Sequence, residues 1–115
     1  MNRQKKYSET LKGRLKNLLK GAKASSIKRG QVLNLTFEDI HKIWLKQEGK
    51  CYYTGWEMNT ITGSDLVVSI ERVDNTLGYS PDNCILVCWC VNRARNTMNI
   101  ELFIEMCKAV SKHNK

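Results

Sequence analysis

Long apolar runs are absent from this sequence, and no stretch approaches the ~20 consecutive apolar residues that a transmembrane helix needs. The first residues, MNRQKKYSE, have no apolar segment behind their charges, which argues against a secretory signal peptide. We therefore expect no membrane association and a cytoplasmic location. Since 42% of the 115 residues are hydrophobic, the chain should fold around one modest core.

Acidic residues are almost missing from the first thirty positions, where Glu9 stands against ten lysines and arginines and the net charge is +9. The other 85 residues carry nine Lys/Arg and ten Asp/Glu, so the basic character of the chain belongs to this segment. A basic segment on a near-neutral body predicts a polyanionic partner, most simply nucleic acid. The alternative is a solvated surface that only improves solubility.

This basic segment has the apolar spacing of one amphipathic helix, with Ser8 as its predicted N-cap and a polar connector at residues 24–31. Its apolar face consists of Leu11, Leu15, Leu18, Leu19 and Ala22. The residues predicted to contact nucleic-acid phosphates are Lys12, Arg14, Lys16, Lys20 and Lys23. A merely solvated helix usually mixes both charge signs, so the lack of acids favours phosphate binding.

Histidine and closely paired cysteines, the usual ligands of structural zinc, are scarce. His41 lies in a predicted helix and His113 in the C-terminal tail, and an isolated helical histidine is more often structural than catalytic. The odd number of cysteines argues for reduced thiols, and their spacing does not form two close ligand pairs. We interpret them as small buried residues and do not expect structural zinc. They are Cys51, Cys84, Cys88, Cys90 and Cys107.

The centre of the chain, residues 67–97, reads VVSIERVDNTLGYSPDNCILVCWCVNRARNT. β-branched residues open a first predicted strand, Gly78 and Pro81 mark a turn, and a second apolar run leads into a basic helix. Before this unit, a capping box at Thr36 and Asp39 predicts a helix over residues 37–47. After it, Asn99 is the predicted N-cap of a last helix.

Polar residues interrupt the apolar runs of this central unit, and we expect chemistry at such interruptions. They are Glu71, Arg72, Asp74, Asn83 and Asn92. Hard divalent cations prefer carboxylate and amide oxygens, and Glu71 and Asn92 offer one of each. The alternative is a surface ion pair between Glu71 and Arg72, with the two asparagines capping turns and the helix.

Three stretches, KCYYTG, SIERVDNTLGYSPDNCILVCWCVNRARN and NIELF, together resemble the HNH (His-Me finger) endonucleases, and small phage-type members in particular. The resemblance covers roughly residues 36–107. It implies an α+β fold in which a ββα-metal finger core is flanked by helices. It also implies a divalent metal, Mg²⁺ or Mn²⁺, and hydrolysis of DNA phosphodiester bonds by nicking or cleavage. If the protein is encoded by a phage, it would act in the host cytoplasm.

By the same resemblance, Glu71 takes the place of the acidic metal ligand, Asn83 that of the residue bracing the loop, and Asn92 that of the last metal ligand. Arg95 falls where the family often has a phosphate-contacting lysine, and Arg93 stands beside it. Two-strand cleavage by one small site would suggest a homodimer. The implied organisation is a basic helical arm, residues 1–30, before an HNH-like domain, residues 31–115.

Arg72 departs from the family pattern, because it stands where the general-base histidine should be, and an arginine cannot deprotonate water. In one account, water on the metal is acidic enough to react without a side-chain base. In a second, Asp74 is the base, since it lies two residues on along a strand. In both, Arg72 would hold the scissile phosphate. In a third, the finger is catalytically silent and only binds DNA or a phage partner.

Overall fold

A computed structural model of the protein describes residues 9–115. Its elements, in chain order, are α1 (Leu11–Arg29), α2 (Phe37–Lys46), β1 (Val68–Arg72), a 3₁₀ turn (Pro81–Asn83), β2 (Cys84–Cys88), α3 (Trp89–Arg95) and α4 (Ile100–His113). Across these described residues, every helix is too short or too polar to cross a membrane. The predicted order of strand, turn, strand and helix in the centre of the chain is confirmed.

The two strands and the helix that follows them form a ββα finger. β1 and β2 pair antiparallel, with Val68 opposite Cys88 and Arg72 opposite Cys84. α3 begins directly after β2 and packs back on both strands. Every residue of both strands is buried, because other elements cover the two faces of this small sheet. Polar side chains on the strands must therefore find partners inside the protein.

Helix α1 shares one core with the finger. Leu15 is fully buried in the same cluster as Ile40 of α2 and Leu86 of β2. α1 contacts α2 and β1, while α2 contacts β2. The two parts of the chain on either side of the expected boundary at residue 30 therefore bury their apolar side chains against each other.

The ends of the helices follow local capping rules. The predicted cap Ser8 lies outside the described residues, and the side chain of Thr10 caps α1 by accepting a hydrogen bond from the Gly13 amide at 3.0 Å. The capping box of Thr36 and Asp39 on α2 is confirmed, as is the Asn99 cap of α4.

The predicted polar connector at residues 24–31 is wrong, because α1 continues to Arg29. None of residues 24–29 is a glycine or proline, so the polar composition of this stretch did not end the helix. Gly30 ends it in the left-handed conformation, with φ of 66°, and its amide bonds back to Ile27 and Ser26.

Candidate functional site

Glu71 lies inside the finger, between β1 and α3. Its side chain is 4% exposed and pairs with Arg95 of α3, which is 2% exposed, with Nη1 lying 3.0 Å from Oε2. Among the described residues, neither carboxylate oxygen accepts a hydrogen bond of good geometry, so Arg95 meets them as an ion pair. The surface ion pair between Glu71 and Arg72 considered above is therefore wrong.

The guanidinium of Arg95 is fixed by the backbone as well as by Glu71. Nε donates to the Met98 carbonyl at 2.8 Å, Nη1 to the Arg72 carbonyl at 3.2 Å and Nη2 to the Val73 carbonyl at 3.0 Å. The last turn of α3 points the Arg95 side chain into the finger, so these contacts give no support to the expected phosphate contact. Its neighbour Arg93 is exposed and remains a candidate for that contact.

Burial dominates the protonation equilibria of this cluster. It raises the pKa of Glu71, and the Arg95 charge only partly opposes the effect. Burial and the adjacent Glu71 carboxylate raise the pKa of Tyr53 to about 12. Tyr53 belongs to the KCYYTG stretch, but nothing in its local pattern indicated a contact with Glu71.

Asn92 of α3 faces β1, the strand that contains Glu71. Its Nδ2 donates to Ser69 Oγ at 2.6 Å and to the Ile70 carbonyl at 3.2 Å. These bonds use the N–H donors of the amide and leave Oδ1 as its oxygen ligand. The space between β1 and α3 thus holds the carboxylate of Glu71 and the amide of Asn92, the two groups predicted to bind metal.

Arg72 forms hydrogen bonds with the loop that joins the two strands. Its Nη1 donates to Gln31 Oε1 at 2.9 Å and to the carbonyls of Asn75 and Leu77, both at 3.0 Å. The guanidinium carbon lies 5.3 Å from the centre of the Tyr79 ring. Since the side chain is only 7% exposed, the expected hold on a scissile phosphate is replaced by a structural role. Gln31, which sequence patterns did not single out, ties this loop to the end of α1.

Asn83 forms hydrogen bonds across the same loop. Its Oδ1 accepts from the Asp74 amide at 2.9 Å, and its Nδ2 donates to the carbonyls of Asp74 and Gly78 at 3.0 and 2.9 Å. β1 ends at Arg72, so Asp74 lies in the loop and the strand periodicity that related these two side chains does not apply.

Asp74 is exposed, and its Oδ1 accepts hydrogen bonds from both the hydroxyl and the amide of Thr76. These bonds lower the pKa of Asp74 below its usual range. A carboxylate with a lowered pKa is a weaker base, which counts against Asp74 as the substitute for histidine.

We expect Thr76→Val to raise the pKa of Asp74 toward the ordinary aspartate value, because the hydroxyl bond that favours the ionised form is lost. With a depressed folded pKa, Asp74 contributes stability above its unfolded pKa and loses it as the pH falls through the folded pKa. NMR titration of the carboxyl carbon measures the shift, and Thr97→Val is the control. An unmoved Asp74 pKa in Thr76→Val contradicts this origin of the shift.

The basic surface of the protein lies mainly on α1. Lys12, Lys16, Lys20 and Lys23 are exposed and follow each other at spacings of four, four and three residues, which places them along one side of the helix. We call these four residues the lysine stripe. Arg14 is not part of it, because its Nε and Nη2 donate to the Val68 carbonyl at 3.1 and 2.9 Å. Its expected phosphate contact is replaced by anchoring of α1 to β1.

His41 and three of the cysteines have structural surroundings. His41 stacks on Phe37 with ring centroids 5.9 Å apart. Cys51, Cys84 and Cys88 are buried, and burial raises the pKa of Cys88 to about 12. Within residues 9–115, no group of three or more His, Cys, Asp or Glu side chains is placed to share a metal ion.

Comparisons with known proteins bear on the fold. No protein-family profile matches the chain. Over 94 residues, or 81% of the chain, it is 35% identical to an uncharacterized protein of Acanthamoeba polyphaga mimivirus, and the match spans only 16% of that protein's length. The structure matches the rare-cutting HNH restriction endonuclease PacI with a TM-score of 0.63 and 19% identity, covering 98% of this chain and 88% of the other. The protein therefore has an HNH-type α+β fold.

Proposed function

We propose that this protein is a metal-dependent endonuclease that hydrolyses phosphodiester bonds in DNA. The observation that carries the proposal is the presence of two oxygen-bearing groups between β1 and α3 of the finger, the buried carboxylate of Glu71 and the partly buried amide of Asn92. The fold of an HNH restriction endonuclease over nearly the whole chain supports the choice of reaction and substrate.

A divalent cation at this position is compatible with the chemistry of the two groups. The oxygens of Glu71 accept no well-formed hydrogen bond among the described residues, and Asn92 uses only its N–H donors in its bonds to β1. Oxygen ligands of this kind suit Mg²⁺ or Mn²⁺ better than zinc. A cation bound there would supply positive charge to the scissile phosphate and lower the pKa of water.

The remaining residues would bind and position the DNA. The lysine stripe and Arg93 present exposed positive charge to the phosphate backbone. Asn83 and Arg72 hold the loop between the strands in one conformation. Because Arg72 cannot accept a proton and Asp74 is a weakened base, water would be activated without a side-chain base.

A second candidate function is a catalytically silent finger that only binds DNA. The observation that favours it is the ion pair itself, since Glu71 already has a cation in Arg95 at 3.0 Å. Buried ion pairs of this kind also occur as purely structural features.

We expect the protein to nick supercoiled plasmid DNA in Mg²⁺ or Mn²⁺ and to lose this activity in EDTA, because the proposed reaction needs the cation's charge at the phosphate. Agarose-gel conversion of supercoiled to open-circular plasmid measures the rate. DNA binding without nicking, on several plasmids and on genomic DNA of the natural host, would support the silent finger instead.

A further inference from the structure

We infer that α4 is a docking surface for a second copy of this chain, which packs its own α4 against it in the antiparallel direction. Neither DNA nor a cation is needed for this contact, so it stands apart from the proposed function. Two features of α4 lead to it: an exposed apolar surface, and the order of the charges beside that surface.

Three apolar side chains form an exposed stripe along α4. Leu102, Met106 and Val110 follow each other at intervals of four residues, which places them on one side of the helix. Their exposed fractions are 60%, 37% and 55%, whereas Phe103, on the neighbouring side, is buried in the core. One side of α4 thus attaches the helix to the protein, and the next side presents apolar groups to solvent.

An apolar groove lies along this stripe. Its volume is about 410 Å³, and the residues that line it include Trp56, Ala94, Phe103, Met106 and Val110. In the described part of the chain, no charged side chain lines the groove. Aromatic residues and methionine are enriched in protein–protein interfaces, while charged residues are depleted at their centres. Stripe and groove together therefore have the composition of an interface with another protein surface.

The charges beside the stripe favour another copy of the same helix as the occupant. Glu105 and Lys112 are exposed and seven residues apart, so they lie on the same side of the stripe, with the acid first in the chain. In an antiparallel pair, Glu105 of each copy approaches Lys112 of the other, and this contact occurs twice. A parallel pair would bring like charges together and align the two helix dipoles. The surface is therefore self-complementary, as a two-fold symmetric interface requires.

The contact should be weak, because one helix and the groove beside it bury less surface than a stable dimer does. We expect a dissociation constant on the order of 10–100 µM. The dimer would then form in concentrated solution and dissociate in a dilute DNA-binding titration.

Sedimentation equilibrium of the full chain, without DNA and under reducing conditions, tests the inference at concentrations from about 5 to about 500 µM. We expect the average mass to rise with concentration from 13.3 kDa, the mass of one chain, toward twice that value. Val110→Asp should weaken the association at least about tenfold. Ile61→Asp is the matched control without effect, because Ile61 is also 55% exposed but lies in the loop before β1.

Charge reversal tests the antiparallel direction. Glu105→Lys and Lys112→Glu each create two like-charge contacts in an antiparallel pair, so each variant alone should associate about three- to tenfold more weakly. An equimolar mixture of the two variants should recover the affinity, because opposite charges then meet at both contacts. In a parallel pair, neither variant alone would associate more weakly than the wild type.

Each contrary result overturns the inference at a defined point. A wild-type chain that remains at 13.3 kDa up to about 500 µM shows that no second copy binds. A dimer that Val110→Asp weakens no more than Ile61→Asp uses a different surface, and Leu102→Asp replaces Val110→Asp if the latter does not fold. Charge variants that associate as tightly as the wild type exclude the antiparallel arrangement. The endonuclease proposal is judged separately, by the nicking assay.

Discussion

Replacing Arg95 with methionine should lower the free energy of unfolding by about 3–5 kcal/mol, the usual cost of removing one partner of a buried ion pair. The variant leaves Glu71, which is 4% exposed, without its cationic partner. It also removes the guanidinium hydrogen bonds to the carbonyls of Arg72, Val73 and Met98. The loss should be smaller at low pH, because the buried carboxylate can then take up a proton and become neutral.

Urea unfolding followed by tryptophan fluorescence measures this effect, and Arg93→Met is its matched control. Arg93 lies on the same helix but is exposed, so its replacement should change the free energy of unfolding by less than about 0.5 kcal/mol. A second substitution, Glu71→Leu, on top of Arg95→Met should recover part of the loss, because no unpaired buried charge remains. Equal effects of Arg95→Met and Arg93→Met would contradict the internal role of Arg95.

Replacing the four residues of the lysine stripe with glutamine should weaken DNA binding and reduce its salt dependence. If each of Lys12, Lys16, Lys20 and Lys23 contacts one phosphate, the slope of log K against log salt concentration should fall by about 3–4, since each contact contributes about 0.9. Arg14 stays unchanged in this variant, because it anchors α1 to the Val68 carbonyl. Fluorescence anisotropy with a labelled duplex at several salt concentrations gives the slope.

A charge-matched control separates phosphate contacts from the effect of net charge alone. Four exposed lysines on the other helices, Lys42 and Lys46 of α2 and Lys108 and Lys112 of α4, are replaced with glutamine in the control variant. We expect its slope to change much less than that of the stripe variant. Similar slopes for the two variants would show that α1 is not a specific phosphate-binding surface.

Local sequence patterns predicted the helices and strands of this fold because helix capping and strand preference depend on residues close together in the sequence. The capping box at Thr36 and the asparagine cap at Asn99 act within one turn of their helices, and the β-branched run opens β1. The same reasoning failed for residues 24–31, where polar composition was interpreted as a connector. Without a glycine or proline before Gly30, nothing in that stretch stopped the helix.

The roles of the arginines could not be predicted, because their partners are distant in the sequence. Arg14 binds a carbonyl 54 positions away, and Arg72 binds Gln31, 41 positions away. Arg95 and Glu71 come together only when α3 packs on β1. From sequence alone, an arginine is interpreted as an exposed charge. Tertiary packing determines whether its five N–H donors bind water or backbone carbonyls.

Some candidate site residues could be predicted from the sequence, and others could not. Glu71 and Asn92 were placed together by the family resemblance, and the structure shows both facing the space between β1 and α3. Tyr53 and Gln31 contact the site residues Glu71 and Arg72, yet no local pattern distinguishes them from other polar residues.

Cation-dependent cleavage through Glu71 is tested by plasmid nicking with Glu71→Gln beside the wild type. Glutamine keeps the size of the side chain and one acceptor oxygen for Arg95, so a fold check by circular dichroism accompanies the assay. We expect metal-dependent nicking by the wild type and a loss of about 100-fold or more in Glu71→Gln, because the anionic metal ligand is gone. The exposed acid Glu101 serves as control, with full activity expected for Glu101→Gln. Equal nicking by folded Glu71→Gln and wild type would contradict the claim.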